Sequence, residues 1–384
     1  MLEFHIPRTF SSDMPAIAFT ADYYHGPYRL HADPGLDLRS LLNSSDADPF
    51  FAQFPSMRRF LVSKSCPSST EGFLERKIPM LHVHVSTFDD MTFVGITAPH
   101  ILFDASGVGM LLRAWTRLLG RDDIEEIQGM EWDMAPFESF WGPTAMYGVR
   151  GYRYYRFPFP PSAEEIIITS LVSWVRDLTR DRDESKLVRV PKAFLEDKWL
   201  EVMHDLKLRG ISESVTTSDV LLAWWAKTSY SLRKHDDKTP VFIHIPVNLR
   251  LEPIFPGASI LTKQYINNAS STISIPPIAA GVFQTEPLPA LALRIRRATT
   301  AYHADHLTLE HELRWRNAHP TIELLRCPPG ADSALQRNWC DAKLSELNFS
   351  GALVGGKKVA SVMFVLTDTV MDRSLCRSEE TVKF

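Results

Sequence analysis

Two residues that can do proton-transfer chemistry stand four positions apart in this sequence, His100 and Asp104 in the stretch HILFDASG. A neutral imidazole can take a proton from an alcohol or an amine near pH 7, and a carboxylate nearby can fix the turn that carries it. In a chain of 384 residues with 13 histidines, the His-x-x-x-Asp spacing is expected roughly once by chance. A histidine that only caps a turn is the alternative, so the surrounding elements decide the interpretation.

The residues on both sides of His100 predict a rigid support for it. The segment 91–98 is apolar, rich in β-branched residues and uncharged, which predicts an interior strand, and the proline that follows ends the strand because it has no N–H to donate. Apolar residues then recur at spacings of three and four over 108–119, which predicts a helix with Ser106 as its N-cap and Gly120 as its stop. His100 is therefore predicted to lie in a strand-to-helix turn.

Length and composition narrow the class of protein. At 384 residues and 43.6 kDa the chain exceeds one ordinary core, so we expect two domains, 1–185 and 186–384, divided after the charged run that follows residue 179. A hydrophobic fraction of 45% with 23% charged residues indicates a globular protein. A net charge of −4 offers no basic surface for nucleic acid.

Cysteine spacing and hydropathy disfavour several other classes. No two cysteines form a Cys-x-x-Cys pair, so the sequence predicts neither a disulfide framework nor a metal site. No run of 18 apolar residues occurs, and the N-terminus lacks a cationic start followed by an apolar core. We therefore expect a cytoplasmic protein that neither spans a membrane nor is secreted.

Strands and helices are predicted along the whole chain, which indicates an α/β fold. The Asp89-Asp90 pair predicts a hairpin between the strands on either side of it. One further helix begins near Ser218, its predicted N-cap. The other predicted strands are 15–24, 58–66, 80–88, 187–191, 239–250, 260–268 and 357–366, and the other predicted helices are 36–42, 164–179, 192–208 and 288–306.

Three further groups of residues have both a functional and a plain interpretation. His82 and His84 share one face of a predicted strand, as a metal pair would, but no third ligand is evident. His244 alternates with apolar residues, which is typical of a satisfied sheet residue rather than a ligand. The basic cluster on helix 288–306 is either a site for a phosphorylated cofactor or a solvated face, and it consists of Arg294, Arg296 and Arg297.

Four motifs together resemble the BAHD acyltransferase family, in particular its fungal secondary-metabolism branch of trichothecene acetyltransferase-like enzymes. They are HILFDASG, the helix TSDVLLAWW, the strand IPVNLR that ends in Arg250, and the segment YINN. The resemblance covers most of the chain. It implies a two-domain chloramphenicol-acetyltransferase-like α/β fold, with mixed sheets and flanking helices.

The resemblance also implies an activity and roles for three residues. It implies an acyl-CoA-dependent O- or N-acyltransferase that transfers an acyl group, acetyl by our prediction, to a small alcohol or amine of secondary metabolism. His100 is then the general base, and Asp104 is structural and pairs with an arginine, for which Arg250 is the candidate. Acyl-CoA is a co-substrate, no cofactor is bound permanently, and the protein is expected to be a monomer without nucleic-acid or membrane partners.

The chain departs from the family pattern in three places. Where the family usually has Asp-Phe-Gly-Trp-Gly, this chain has Asn348-Phe349-Ser350-Gly351. It also begins and ends closer to the core than is usual in the family, which implies a truncated or divergent member. A catalytically silent paralogue that acts as a small-molecule binding or scaffold protein is therefore the alternative function. A peptide-synthetase condensation domain is disfavoured because Pro99, not a second histidine, precedes His100.

Overall fold

The computed structural model describes residues 9–32, 50–53, 57–75, 78–120, 123, 127, 136–140, 186–254, 264–318, 331–337, 339, 342–352 and 379–383. The described residues form two compact units. One holds those up to Phe103 and those just before Lys192, and the other holds those from Asp104 to residue 140 and from Lys192 onward. The domain boundary near residue 185 stays a prediction. The elements predicted at 36–42, 164–179 and 357–366 lie outside the described residues.

The described part of the first unit contains five strands and two short helices. They are β1 (Ile17–Tyr23), β2 (Phe50–Gln53), α1 (Arg58–Leu61), α2 (Thr70–Phe73), β3 (Leu81–Thr87), β4 (Thr92–Thr97) and β5 (Lys186–Arg189). The main sheet has the order β1-β3-β4, parallel between β1 and β3 and antiparallel between β3 and β4. Strands β2 and β5 form a separate antiparallel pair.

The strand that precedes His100 forms the predicted hairpin. Strands β3 and β4 pair with Thr87 opposite Thr92, which confirms the turn at Asp89-Asp90. Within the described residues, however, β4 is an edge of its sheet, and Val94 is 40% exposed. The prediction of an interior strand is not confirmed, because an apolar composition does not distinguish a central strand from an edge strand.

The polar face of β3 is buried more completely than the apolar face. His82, His84 and Ser86 are all buried, whereas on the other face Val83 is buried and Leu81 and Val85 are half-buried. His84 can be buried here because it has partners in Thr20 on β1 and Ser86 on its own strand. Among the described residues no group of three metal-ligating side chains occurs, so the metal interpretation of this face gains no support.

Residues 58–66 do not form the predicted strand. Residues 58–61 are the helical turn α1, which buries Phe60 among Tyr28 and Phe88. The same turn passes directly over β4, where a Cβ built on Gly95 would lie 1.7 Å from the Leu61 carbonyl oxygen. Aromatic packing therefore decides the local structure here, over the β-propensity of the segment.

The described part of the second unit contains a mixed sheet and six α-helices. They are α3 (Ala105–Leu119), α4 (Lys192–Leu208), α5 (Thr217–Ser229), β6 (Pro240–Asn248), β7 (Ser270–Ser274), β8 (Ile278–Ala279), α6 (Val282–Thr285), α7 (Leu288–Ala304), α8 (His306–Ala318), β9 (Asp332–Arg337) and β10 (Glu379–Lys383). The sheet order is β10-β9-β6-β7, and β8 also pairs with β6. The predicted interior position of β6 is confirmed.

Helices α4, α5 and α7 pack around one apolar core with β6 and β7. The core includes Leu206, Val220, Ile243, Ile273 and Leu291, each at most 3% exposed. The helices predicted at 192–208 and 288–306 are therefore confirmed. None of the helices in the described part of the chain is both long and apolar enough to cross a bilayer.

Two predictions in the second unit are wrong in detail. Helix α5 is capped by Thr216, not Ser218, because Thr216 and Asp219 exchange backbone and side-chain hydrogen bonds in a capping box. The strand predicted at 260–268 is not a strand in its described residues, 264–268, and β7 begins only at Ser270.

Candidate active site

His100 lies in the predicted turn directly after β4. The Leu102 N–H donates to the Pro99 carbonyl at 3.0 Å, which closes the turn over His100. His100 is exposed, in contrast to His82 and His84 on the neighbouring strand. Of these three histidines, only His100 can meet a substrate that arrives from solvent.

Asp104 caps the helix that follows this turn. It has an extended backbone, with φ −92° and ψ −180°, and its Oδ1 accepts a hydrogen bond from the Gly107 N–H at 2.9 Å. Ser106, the predicted N-cap, lies instead within the first turn of α3. An aspartate also places negative charge at the positive end of the helix dipole, which favours it over serine. Gly120 is the C-cap of α3, as predicted.

The Asp104 carboxylate receives four hydrogen bonds although it is buried. Oδ1 accepts from Gly107 N–H at 2.9 Å and from Arg250 Nη2 at 3.0 Å. Oδ2 accepts from Ala269 N–H and from Arg250 Nη1, both at 2.9 Å. The arginine that the sequence analysis paired with Asp104 thus contacts it through two parallel hydrogen bonds, across 146 positions of the chain.

Arg250 uses all five of its side-chain N–H groups. Besides the two bonds to Asp104, Nε donates to the Tyr265 carbonyl at 2.6 Å and Nη2 to the Asn267 carbonyl at 2.5 Å. Nη1 donates to Asn248 Oδ1 at 3.0 Å. The side chain is only 2% exposed, so a buried cation here requires this complete set of acceptors.

Three separate segments therefore meet at the guanidinium of Arg250. They are the first turn of α3, the end of β6 and the segment 264–269. Leu249 N–H also donates to the Ala269 carbonyl at 2.8 Å, which joins the last two segments through their backbones. The carbonyls of Tyr265 and Asn267 both accept hydrogen bonds from Arg250, so the segment 264–269 bends around this side chain. This bend is the reason why residues 264–268 do not form the predicted strand.

Helix α3 also makes contacts that the sequence analysis did not anticipate. A Cβ built on Gly107 would lie 1.9 Å from the Ile266 carbonyl oxygen, and one on Gly109 would lie 2.6 Å from the Ala342 carbonyl oxygen. Glycine is unfavourable in a helix interior by about 1 kcal/mol relative to alanine. Two glycines in the first turns of this amphipathic helix therefore indicate, from sequence alone, that another backbone segment packs closely there.

The loop 348–352, whose sequence departs from the pattern described above, packs against the C-terminal end of α3. The ring of Phe349 meets Trp115 edge-on with 6.0 Å between centroids. A Cβ built on Gly351 would lie 2.0 Å from the Leu119 carbonyl oxygen, so this glycine is needed for the approach. Asn348 Oδ1 accepts from the Ser350 N–H at 2.9 Å, which fixes the loop internally.

The basic cluster on α7 is neutralised by acidic neighbours. Arg294 pairs with Glu286, Arg296 with Asp219, and Arg297 with Glu213, at N···O distances of 3.2, 2.5 and 2.5 Å. The hydrogen bond from Arg297 holds the pKa of the Glu213 carboxyl below its usual range. With its cations already paired, this cluster gives no support to the phosphorylated-cofactor interpretation.

Several known proteins are similar in sequence to this chain over nearly its whole length. No family model matches the chain. Acetyltransferase adrJ of Penicillium roqueforti is 26% identical over 375 residues, which span 92% of this chain and 70% of adrJ. Several other relatives are also named acetyltransferases or O-acyltransferases. One relative of similar identity, calD of Penicillium decumbens, is named a transcriptional regulator and is 25% identical over 92% of this chain and 70% of its own length.

Solved structures show the fold. TRI101 of F. graminearum, complexed with coenzyme A and T-2 mycotoxin, superposes with a TM-score of 0.56 at 15% identity, over 94% of this chain and 73% of TRI101. This likeness confirms the predicted chloramphenicol-acetyltransferase-like α/β fold.

Proposed function

We propose that this chain, a relative of fungal acyltransferases with the fold of the BAHD family, is an acyl-CoA-dependent O- or N-acyltransferase for a small secondary metabolite. The observation that supports this proposal is a contrast in burial within HILFDASG. His100 is exposed in a turn, whereas Asp104, four residues later, is buried and bound to Arg250. An exposed imidazole that is followed in the chain by a rigid anchor suits proton transfer.

In the proposed reaction His100 acts as the general base. Its neutral imidazole takes the proton from the acceptor hydroxyl or amine while the acceptor oxygen or nitrogen attacks the thioester carbonyl of acyl-CoA. When the tetrahedral intermediate collapses, the C–S bond breaks and the thiolate of CoA takes that proton from the imidazolium. Proton transfer of this kind contributes about 10²- to 10⁴-fold to a rate. We take acetyl as the transferred group because acetyltransferases are frequent among the relatives.

Asp104 and Arg250 support the site in this proposal and do no proton transfer. Each oxygen of Asp104 already accepts two hydrogen bonds from the protein itself. A carboxylate in such a setting serves to fix geometry.

The test is acceptor-dependent release of CoA thiol. We would incubate the protein with acetyl-CoA and a panel of small alcohols and amines, follow thiol release, and identify the acylated product by mass spectrometry. His100→Ala is expected to abolish product formation, whereas the matched control His204→Ala, an exposed histidine on α4, is expected to leave it unchanged. Equal turnover in His100→Ala and wild type would rule out the general-base role.

A non-catalytic binding or scaffold protein is the second candidate. The observation in its favour is calD, a relative over 92% of this chain whose name is not that of an enzyme. Calorimetry separates the two functions. A silent paralogue would bind CoA or a small ligand with wild-type affinity in both histidine variants and would release no thiol with any acceptor.

We also propose that the protein is a cytoplasmic monomer with a domain boundary near residue 185. Light scattering coupled to gel filtration tests the monomer, and cell fractionation tests the location. Limited proteolysis is expected to cut first near residue 185 if the boundary is correct, because exposed linkers are preferred sites of cleavage.

A further inference from the structure

The side-chain amide of Asn248 links Arg250 to the first turn of α3. Asn248 is the last residue of β6, and its Oδ1 accepts from the Arg250 backbone N–H at 3.1 Å and from Nη1 at 3.0 Å. Its Nδ2 donates to Ser106 Oγ at 3.2 Å. The orientation of the amide follows from its partners, because both Arg250 groups are donors and only the oxygen can accept from them.

Because the side chain of Asn248 is neutral, it accepts a hydrogen bond from Arg250 without competing as an anion with Asp104. A carboxylate here would put a second anion on the same guanidinium and compete with Asp104 for it. An apolar side chain would remove an acceptor from Nη1 and the amide donor from Ser106. An amide is therefore the side chain that satisfies both neighbours without adding charge.

We propose that Asn248 is a positioning residue for acyl transfer. By holding Ser106 and Arg250 together it fixes the orientation of the first turn of α3, and the chain leads into that turn directly from the loop that carries His100. This inference rests on the proposed function. Asn248 touches no reacting atom, so it acts through the placement of the base, where an error of about 1 Å can lower a rate roughly 10²-fold.

Steady-state kinetics on four single variants and one double variant test the proposal. Asn248→Ala is expected to lower kcat by about 10- to 10²-fold with little change in the KM for acetyl-CoA, because only the geometry of the base is altered. Ser106→Ala should lower kcat less, since it removes one of the three hydrogen bonds of the amide. The double variant should be no slower than Asn248→Ala, because both changes remove the same contact.

Ser274→Ala is the matched control. It removes a side-chain hydrogen bond of similar length, 2.9 Å to His244 Nδ1, from the strand next to β6. Its kcat should equal that of the wild type. Asn248→Asp should not restore the rate, because the added charge competes for Arg250.

The outcomes separate this inference from the proposed function. A wild type that transfers acyl groups, with unchanged kcat in both Asn248→Ala and Ser106→Ala, overturns the positioning role alone. A wild type that transfers nothing to any acceptor overturns both. If Asn248→Ala fails to fold, the kcat of Ser106→Ala tests the positioning role instead. This variant is expected to fold, because alanine is the best helix former and only a hydroxyl is removed.

Discussion

Two buried polar regions of this protein are held together in different ways. Around Arg250, one charged side chain collects acceptors from three segments that are far apart in the chain, and every one of its N–H groups has a partner. On β3, a buried residue binds partners in the same sheet: His84 contacts Thr20 Oγ1 on β1 at 2.8 Å and Ser86 Oγ at 3.3 Å. His82 Nε2 has no hydrogen-bond partner among the described residues.

The difference indicates how sensitive each region is to a single change. Removing one atom from the Arg250 network disturbs a buried charge and three segments at once. Removing one from β3 disturbs contacts within one sheet, where His84 Nε2 also lies 3.7 Å from Asp22 Oδ2. We therefore expect large, cooperative effects in the first region and small, separable ones in the second.

Asp104→Asn should have the largest effect, although it barely changes shape. Each oxygen of Asp104 faces two donors, so the NH₂ of an asparagine would point at two N–H groups in either orientation. We expect the free energy of unfolding to fall by about 3–5 kcal/mol, as for other broken buried ion pairs. Urea denaturation monitored by circular dichroism measures it.

Asp305→Asn is the control for that variant. Asp305 also accepts a hydrogen bond from a helix N-terminus, the Thr308 N–H at 3.0 Å, but it is exposed. Asparagine is nearly as good a cap, so this change should cost under about 1 kcal/mol. Similar losses in both variants would mean that the Arg250 network adds nothing beyond capping.

Gly107→Ala should come second. The new methyl group would overlap the Ile266 carbonyl, so the helix or the segment 264–269 must move, at a cost of about 1–3 kcal/mol. Gly120→Ala at the end of the same helix is the control, since its Cβ would meet its nearest neighbour at 3.2 Å. Equal melting temperatures of the two variants would contradict the close approach at Gly107.

Thr20→Val should have a smaller effect in the other region. Valine keeps the shape of threonine and its preference for strands but removes the hydrogen bond to His84 Nδ1. We expect a loss of about 1 kcal/mol in the free energy of unfolding, typical of one neutral hydrogen bond. A loss as large as that of Asp104→Asn would show that β3 is as cooperative as the Arg250 network.

The smallest effect concerns pH and His82. Burial lowers the pKa of His82 in the folded protein, partly opposed by a hydrogen bond with the Pro79 backbone. The unfolded chain therefore binds a proton at this residue more readily than the folded protein does. The contribution of neutral His82 to the free energy of unfolding is fully present above its unfolded pKa of about 6.5 and decreases as the pH falls below that value. His82→Leu should reduce the drop in melting temperature between pH 7.5 and 5.5. An identical drop in both proteins would exclude His82 as a contributor.

Structure follows from sequence most reliably in this protein where the signal is local and periodic. Helices α3, α4 and α7 and the β3–β4 hairpin follow from apolar spacing and turn residues, and the strand-to-helix turn at His100 follows from both. The partner of Asp104 came from the family resemblance, because nothing local connects residues 146 positions apart.

Predictions failed where tertiary contacts override local preference. The segment 58–61 became helical to bury Phe60, and 264–268 bends around Arg250 where a strand was predicted. The N-caps were misplaced by two residues because competing candidates differ only in hydrogen bonds that require coordinates. The role of Asn248 in the network, and the segment that Gly107 approaches, could not be predicted either, since both depend on the element that faces these residues.

Chemical rescue of His100→Ala tests the central claim most directly. The account predicts that this variant melts at the wild-type temperature, because His100 is exposed, but loses about 10²- to 10⁴-fold in kcat/KM for acyl transfer. Added imidazole should then restore part of the rate in His100→Ala and none in Asp104→Asn, where the base is present but misplaced. Transfer at the wild-type rate by His100→Ala, without imidazole, would contradict the account.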